Sequence, residues 1–424
     1  MPQVALTDTA VVCRGEPADP PAPSAARFAG TSTPVSVSAL RSPGSLSSVL
    51  ERRRVIVCAG PGGVGKTTTA AALAVLAARR GAKVAALTVD PARRLADSLG
   101  IGNPGAEPRD VDPALWRLPD QPRPGRLTVM MMDTKRTFDE VVERHASSPE
   151  ARDRILNNAL YKHVSAQLAG AHEYMAMEKL LSIKSDDTYD LIVLDTPPTR
   201  DALDFLSAPE RLVGALDSSL MTWLAEAFHP TRGLSLNLLA RGVSRVLSVM
   251  GRITGRELLE QLASFIVDLN DLFGGFRERA SAVARAFRGP EFGFVLVSST
   301  RQNSMQESLS LARQLAAEGM ALDAFIVNRV QQPAGAPQSD ALASALGARL
   351  GAALVGDDLI AKVERVAAEQ NAAAARDGQR LRSLEQSLRA LGTKSAPVLL
   401  PLPELRGNIH GVDALGHIAR ALAG

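Results

Sequence analysis

A lysine and two hydroxyl residues close a glycine run, Gly60-Pro61-Gly62-Gly63-Val64-Gly65-Lys66-Thr67-Thr68. Glycines let successive backbone N–H groups curl toward one polyanion, and the positive end of a following helix adds to the field. The chemistry that suits this order is the grip of a phosphate chain, with Gly60, Gly62, Gly63, Val64, Gly65 and Thr68 as its backbone cradle. Lys66 then supplies a point charge to the β- and γ-phosphates, and the Thr67 hydroxyl is placed to ligate Mg²⁺. Two carboxylates complete the set. Asp195 ends the apolar run Leu191-Ile192-Val193-Leu194, so a buried strand would deliver it toward the metal, usually through a water. Asp90 ends Lys83–Val89 and is the candidate for orienting an attacking water, because ligands collect at the carboxyl ends of parallel strands. Thr196-Pro197-Pro198-Thr199 is a stiff loop suited to sensing a γ-phosphate.

These side chains need a scaffold, and the flanking sequence supplies one. Val55–Ala59 reads as a buried strand and Ala70–Ala78 as a helix, so the glycine run sits in a strand-loop-helix context. Arg79-Arg80-Gly81 stops that helix. Further strands are expected at Lys83–Val89, Leu127–Asp133, Tyr189–Asp195, Phe292–Ser298, Leu322–Arg329 and Val398–Leu400, with 101–126 as a proline-studded loop. Helical patterns run from Thr134 to Ser185, Leu216 to Ala286, Met305 to Ala317 and Ala341 to Leu391, and a short helix starts at Val412. The 216–286 stretch is more apolar than one sheet-facing stripe requires. An internal core or a dimer interface suits it, and a groove for a client helix is the other reading. Asn328, at the end of its strand, is positioned to meet an adenine edge, and no Asn-Lys-x-Asp element follows, which favours ATP over GTP.

Composition narrows the classes. At 424 residues and a net charge of +3, the chain has ample length for a core and no charge excess that argues for nucleic acid or an anionic membrane. Cys13 and Cys58 are its two cysteines, too few for a zinc site and in keeping with a cytoplasmic location. No apolar run reaches spanning length, since Leu234–Met250 is broken by Arg241 and Arg245. Residues 1–46 are rich in Pro, Ala, Ser and Thr and are expected to be a disordered extension. Residues 47–424 form the nucleotide-binding domain in this reading, and no export signal precedes it.

Taken together, the glycine loop, the Asp90-Pro91-Ala92 turn, Asp195-Thr196-x-Pro198-Thr199, Ile326-Val327-Asn328 and Leu402-Pro403-Glu404-x-Arg406-Gly407 resemble the ArsA-like ATPases. That family holds arsenite-efflux and tail-anchored-protein targeting ATPases. The resemblance implies an α/β fold, a doubly wound and mainly parallel sheet of the P-loop NTPase kind, with an inserted helical subdomain at about 134–185 and 216–286. It implies a Mg²⁺-dependent ATPase working as a nucleotide-gated dimer, with Asp90 and Lys66 catalytic, Thr67 and Asp195 at the metal, and Asn328, Pro401, Pro403 and Glu404 around adenine. The dimer would be a homodimer or a heterodimer with a paralogous ATPase, coupled to a client protein or a membrane partner.

Three departures qualify the resemblance. Pro61 stands where the family carries its signature lysine, which reaches a partner's γ-phosphate; Arg93, Arg94 and Arg200 are the candidates to replace it. The cysteine triad of arsenite binders has no counterpart, and soft trivalent metalloids need thiolates. The CxxC zinc clasp of the targeting members is also missing. A second functional class therefore stands beside the ATPase: a nucleotide-gated assembly protein of the MinD or ParA kind, with little turnover alone.

Overall fold

The computed structural model describes residues 45–89, 94–101, 107–116, 125–158, 161, 171–197, 278–335, 339–351, 355–393, 395–405 and 412–423. The expected extension up to residue 44, most of the 216–286 helical stretch, and the Arg406-Gly407 end of the closing loop lie outside them.

Eight strands form one sheet in the order β3-β4-β2-β5-β1-β6-β7-β8. They are β1 (Val55–Ala59), β2 (Lys83–Thr88), β3 (Arg109–Asp110), β4 (Arg126–Met131), β5 (Leu191–Asp195), β6 (Phe292–Ser299), β7 (Leu322–Val330) and β8 (Val398–Pro403). All pairings are parallel except β3 with β4. The fold is α/β with a mainly parallel sheet, as the sequence implied. Apolar residues of β1 are buried at every position, because helices cover both faces. Its alternation sorts them: Ile56 and Cys58 join the core on one face, Val55, Val57 and Ala59 that on the other.

The first core is built on α2 (Lys66–Arg79), which follows α1 (Leu46–Arg52) and β1. Alanine dominates α2 and eleven of its residues are buried, so small side chains let it lie close to the strands and to the closing helix. It ends at Arg80, whose N–H returns to the helix carbonyls, and Gly81 takes a φ of +94°. Next come α3 (Arg94–Ser98), α4 (Pro113–Trp116), α5 (Thr134–His145), α6 (Pro149–Asn157) and α7 (Ala171–Ser185). The helical pattern expected from Thr134 to about Ser185 holds α5, α6 and α7 among the described residues. Ser148 caps α6 by accepting from Ala151 N, and Pro149 occupies its first turn, so the break is written in an N-cap signal. Later elements are α8 (Gln302–Ala317), α9 (Ser339–Leu350), α10 (Asp357–Arg389) and α11 (Val412–Ala423).

Two expectations need correction. The 101–126 segment contains β3 and α4 as well as loop. Asp110 of β3 accepts from Thr128 Oγ1 at 2.6 Å and from Arg126, so polar contacts rather than apolar alternation hold this edge. The closing strand runs to Pro403 instead of stopping at Leu400. Prolines are tolerated there because β8 is the sheet edge.

The chain divides into two compact units. Among the described residues, one holds those from Ser45 to Pro333 and from Gln370 to Ala423 and contains the whole sheet; the other holds those between Ala334 and Glu369. The described part of the second is α9 with α10 up to Glu369, and it is largely exposed: Leu342 and Ala367 are its buried apolar residues, while Leu350 and Val366 face solvent. Among the described residues no helix is long and apolar enough to cross a membrane.

Candidate functional site

Strand β1 ends in the glycine loop, and α2 begins where the loop closes. Gly60 has a φ of +146° and Gly65 a φ of +98°. A Cβ on Gly60 would sit 2.1 Å from the Val297 carbonyl oxygen, and one on Gly65 would sit 2.4 Å from Asn328 Nδ2. Glycine is required at both points by conformation and by space. Pro61 and Val64 are buried, whereas Gly62 and Gly63 are exposed at the crest. Lys66 is buried, and its Nζ donates to the Pro61 carbonyl at 2.8 Å. The ammonium therefore folds back across the loop instead of pointing to solvent. Thr67 and Thr68 follow, half-buried, in the first turn of α2, where the helix dipole favours negative charge.

On one flank of β1 lies β5. Asp195 is fully buried and stands in register with Cys58 of β1 and Thr88 of β2. Thr88 Oγ1 donates to Asp195 Oδ2 at 3.3 Å. The next residue is tied to the loop strand: Thr196 Oγ1 donates to the Cys58 carbonyl at 2.8 Å, and its N–H does so at 3.3 Å. Burial pushes the Cys58 thiol far up, the Asp195 carboxylate pushes it further, and Lys66 pulls it back. The thiol is a neutral filler lying in the fields of both charged residues. Thr67 and Asp195 offer hard oxygen donors, the set that suits Mg²⁺ shared with phosphate oxygens.

The other flank is built from β6, β7 and β8. Asn328 of β7 donates from Nδ2 to the Val64 carbonyl at 2.9 Å, and its Oδ1 accepts from Arg329 N–H at 2.9 Å. The asparagine thus braces the loop and turns the chain after it; one amide hydrogen and one lone pair remain for a ligand. Pro401 is buried opposite Val327 and Pro403 is paired with Val330. Glu404 is exposed; its N–H bonds the Val330 carbonyl and its carboxylate accepts from Gln331 Nε2. The adenine candidates therefore gather at the carboxyl ends of β7 and β8, on the opposite side of the loop from Asp195. A cleft of about 270 Å³ opens here, with Gly62, Gly63, Arg301, Arg329, Gln331 and Glu404 among its walls.

Asp90, Arg93, Arg200 and the Pro198-Thr199 pair lie outside the described residues. Arg94 opens α3 and is exposed. Sequence reasoning missed Thr88, whose signal is faint: a hydroxyl near the end of an apolar strand. It also passed over Arg301 and Arg329, which no motif marks.

The comparisons with known proteins agree with this geometry. A family model describing anion-transporting ATPases, the ArsA ATPase family, matches residues 53–341. The chain is 26% identical over 300 residues to the ATPase get3 of Aspergillus terreus, covering 70% of this chain and 79% of that protein. It is 27% identical over 297 residues to the ATPase get3 of Schizosaccharomyces pombe, covering 68% and 77%.

Proposed function

The chain belongs to the ArsA family of anion-transporting ATPases, and on that premise we propose that it is a Mg²⁺-dependent ATP-driven switch, working as a dimer that couples nucleotide state to a client protein or a membrane partner. The observation that carries this reading is the pairing of the Gly60–Thr67 loop on β1 with the Asp195 carboxylate in register on the adjacent β5. In this reading the loop N–H groups and the Lys66 ammonium hold the phosphates, and Asn328 keeps the loop in shape. Thr67 and Asp195 would hold Mg²⁺, which neutralises charge on the phosphate oxygens when bound. Asp90 orients the attacking water. Adenine lies toward Asn328, Pro401, Pro403 and Glu404. The protein acts in the cytoplasm and reaches any membrane through its partner.

Pro61 favours a second reading, in which nucleotide governs assembly and turnover is negligible alone or needs a paralogous partner. Steady-state hydrolysis over a series of protein concentrations, beside a Lys66→Ala control, separates the two. Turnover per chain that rises with concentration and disappears in the control supports a self-sufficient dimer. Tight ATP binding without turnover favours the second reading. Absence of ATP binding refutes both.

A further inference from the structure

Among the described residues, the cleft at the carboxyl ends of β7 and β8 has one side-chain amide in its wall, that of Gln331. Asn328, the amide marked by sequence, has both of its ends engaged by main chain and is not part of that wall. Gln331 is half-buried and is held in two places. Its N–H donates to Asp377 Oδ2 at 3.1 Å, and its Nε2 donates to Glu404 Oε2. Asp377 lies on α10 and is only 4% exposed. A carboxylate is costly to bury unless it is bonded, and this one spends an oxygen on the main chain just past β7. Arg380 secures the arrangement: its Nη1 donates to Asp377 Oδ1 at 3.4 Å and to the carbonyl of Thr300, another wall residue, at 3.1 Å.

The contact with Glu404 also fixes which end of the amide faces where. An ionised carboxylate only accepts hydrogen bonds, so the NH₂ end must be the one turned to it. The second amide hydrogen and Oε1, to which no described residue donates, remain side by side for a ligand. An acceptor beside a donor is the complement of adenine, whose amino group donates and whose neighbouring ring nitrogen accepts, and glutamine makes this bidentate pair. Guanine carries a carbonyl oxygen in place of the amino group and would set it against Oε1. The amide cannot turn over to suit guanine without setting Oε1 against the Glu404 carboxylate. A cleft of about 270 Å³ has the scale of one ring system rather than of a whole nucleotide.

We propose that Gln331 reads the base, pairing with the adenine amino group and the ring nitrogen next to it, and that Asp377 is the positioning residue that fixes Gln331 for this task. The inference rests on the reading of this site as the ATP site and names what selects adenine there. The ring nitrogen is N1 or N7, which lie on either side of the amino group; both edges offer the donor and acceptor that the amide complements. Asp377 acts through the Gln331 main chain, so the base is sensed by a side chain whose placement depends on α10.

The test titrates the full chain by calorimetry, with Mg²⁺, against ATP, purine riboside triphosphate, which lacks the amino group, 1-deaza-ATP and 7-deaza-ATP. Wild type is expected to bind purine riboside triphosphate and one of the two deaza analogues about ten- to a hundredfold more weakly than ATP; the deaza analogue that suffers identifies the ring nitrogen. Gln331→Met, similar in length and without the amide, should bind ATP more weakly by a similar factor and no longer separate it from the analogues. Asp377→Leu should narrow the same contrast, whereas Asp377→Asn, which still accepts from Gln331 N–H, should keep it. A merely structural role would weaken every nucleotide alike. Gln331 is half-buried, so its replacement keeps the fold, and circular dichroism melts check each variant. Equal binding of all four nucleotides by wild type, or an undiminished contrast in Gln331→Met, overturns the proposal and leaves the ATP reading standing. An undiminished contrast in Asp377→Leu overturns the positioning role. Failure of wild type to bind ATP overturns the functional reading and this inference with it.

Discussion

Three glycines of the loop share positive φ but differ in what surrounds them, which makes a graded experiment. Gly63 has a φ of +75° and no atom within 4 Å of a built Cβ. Gly63→Ala meets only the left-handed penalty of about 1–2 kcal/mol, offset by roughly 0.4–1 kcal/mol from a stiffer unfolded chain. A net loss of about 1 kcal/mol is expected. Gly65→Ala meets the same penalty and also displaces Asn328 Nδ2, 2.4 Å from the new methyl. Losing the Asn328–Val64 bond adds about 1 kcal/mol, for a total of about 2 kcal/mol. In Gly60→Ala the methyl lies 2.1 Å from the Val297 carbonyl oxygen and 3.1 Å from its carbon. Main chain of a central strand cannot swing aside as an amide can, so about 4 kcal/mol or more is expected, in the range of severe core damage. Urea unfolding reads the stabilities and ATP titration reads the loop; Gly63→Ala is expected to retain ATP binding and Gly60→Ala to lose it. Equal losses across the series, or the largest loss at Gly63, would refute the claim that steric surroundings rather than φ alone set the glycine requirement.

Other expectations follow from contacts away from the crest. Arg53 donates from Nε and Nη2 to both Asp323 oxygens at 2.8 Å, and the pair is 15% and 8% exposed. Arg53→Ala should cost about 3–5 kcal/mol by stranding the carboxylate, and a cycle with Asp323→Ala should show that most of the loss is shared. Thr88→Val removes the hydroxyl that holds Asp195 and should raise the Mg²⁺ requirement for hydrolysis about ten- to a hundredfold, read from a metal titration with ATP affinity as the control. Burial pushes the Asp110 carboxyl up, but hydrogen bonds from Arg126 and Thr128 and the Arg126 charge outweigh it and hold the group below the usual carboxylate range. Its folded pKa is therefore the lower one. The stability it contributes is complete above the unfolded value of about 4 and is lost as pH falls through the folded value. Melting temperatures from pH 7 to pH 3 should fall less steeply in Asp110→Asn than in wild type.

Contiguity decided what could be read in advance. Val55–Ala59, the glycine loop and the alanine helix lie side by side in the chain, so local pattern sufficed for β1, the loop and α2. Asp195 was legible because an apolar run ending in a carboxylate is itself local. The brace that Asn328 places on Val64 joins residues far apart in sequence, and only the sheet order brings β7 to the loop. Arg301 and Arg329 share a cleft for the same reason. Strand β3 was missed because two exposed residues carry no alternation, and β8 was cut short because Pro401 and Pro403 argue against a strand until the edge position is known.

The sheet order also bears on how the protein is made. Strand β1 lies between β5 and β6, which begin at Leu191 and Phe292. A chain emerging from the ribosome therefore carries its glycine loop on a strand with no neighbour until β5 arrives, and with one bare edge until β6 does. Such long-range pairing slows folding and leaves an apolar strand exposed meanwhile. Nucleotide binding then becomes a late property of synthesis: fragments ending before Phe292 would lack the strand that fits against Gly60 and the Asn328 that steadies Val64.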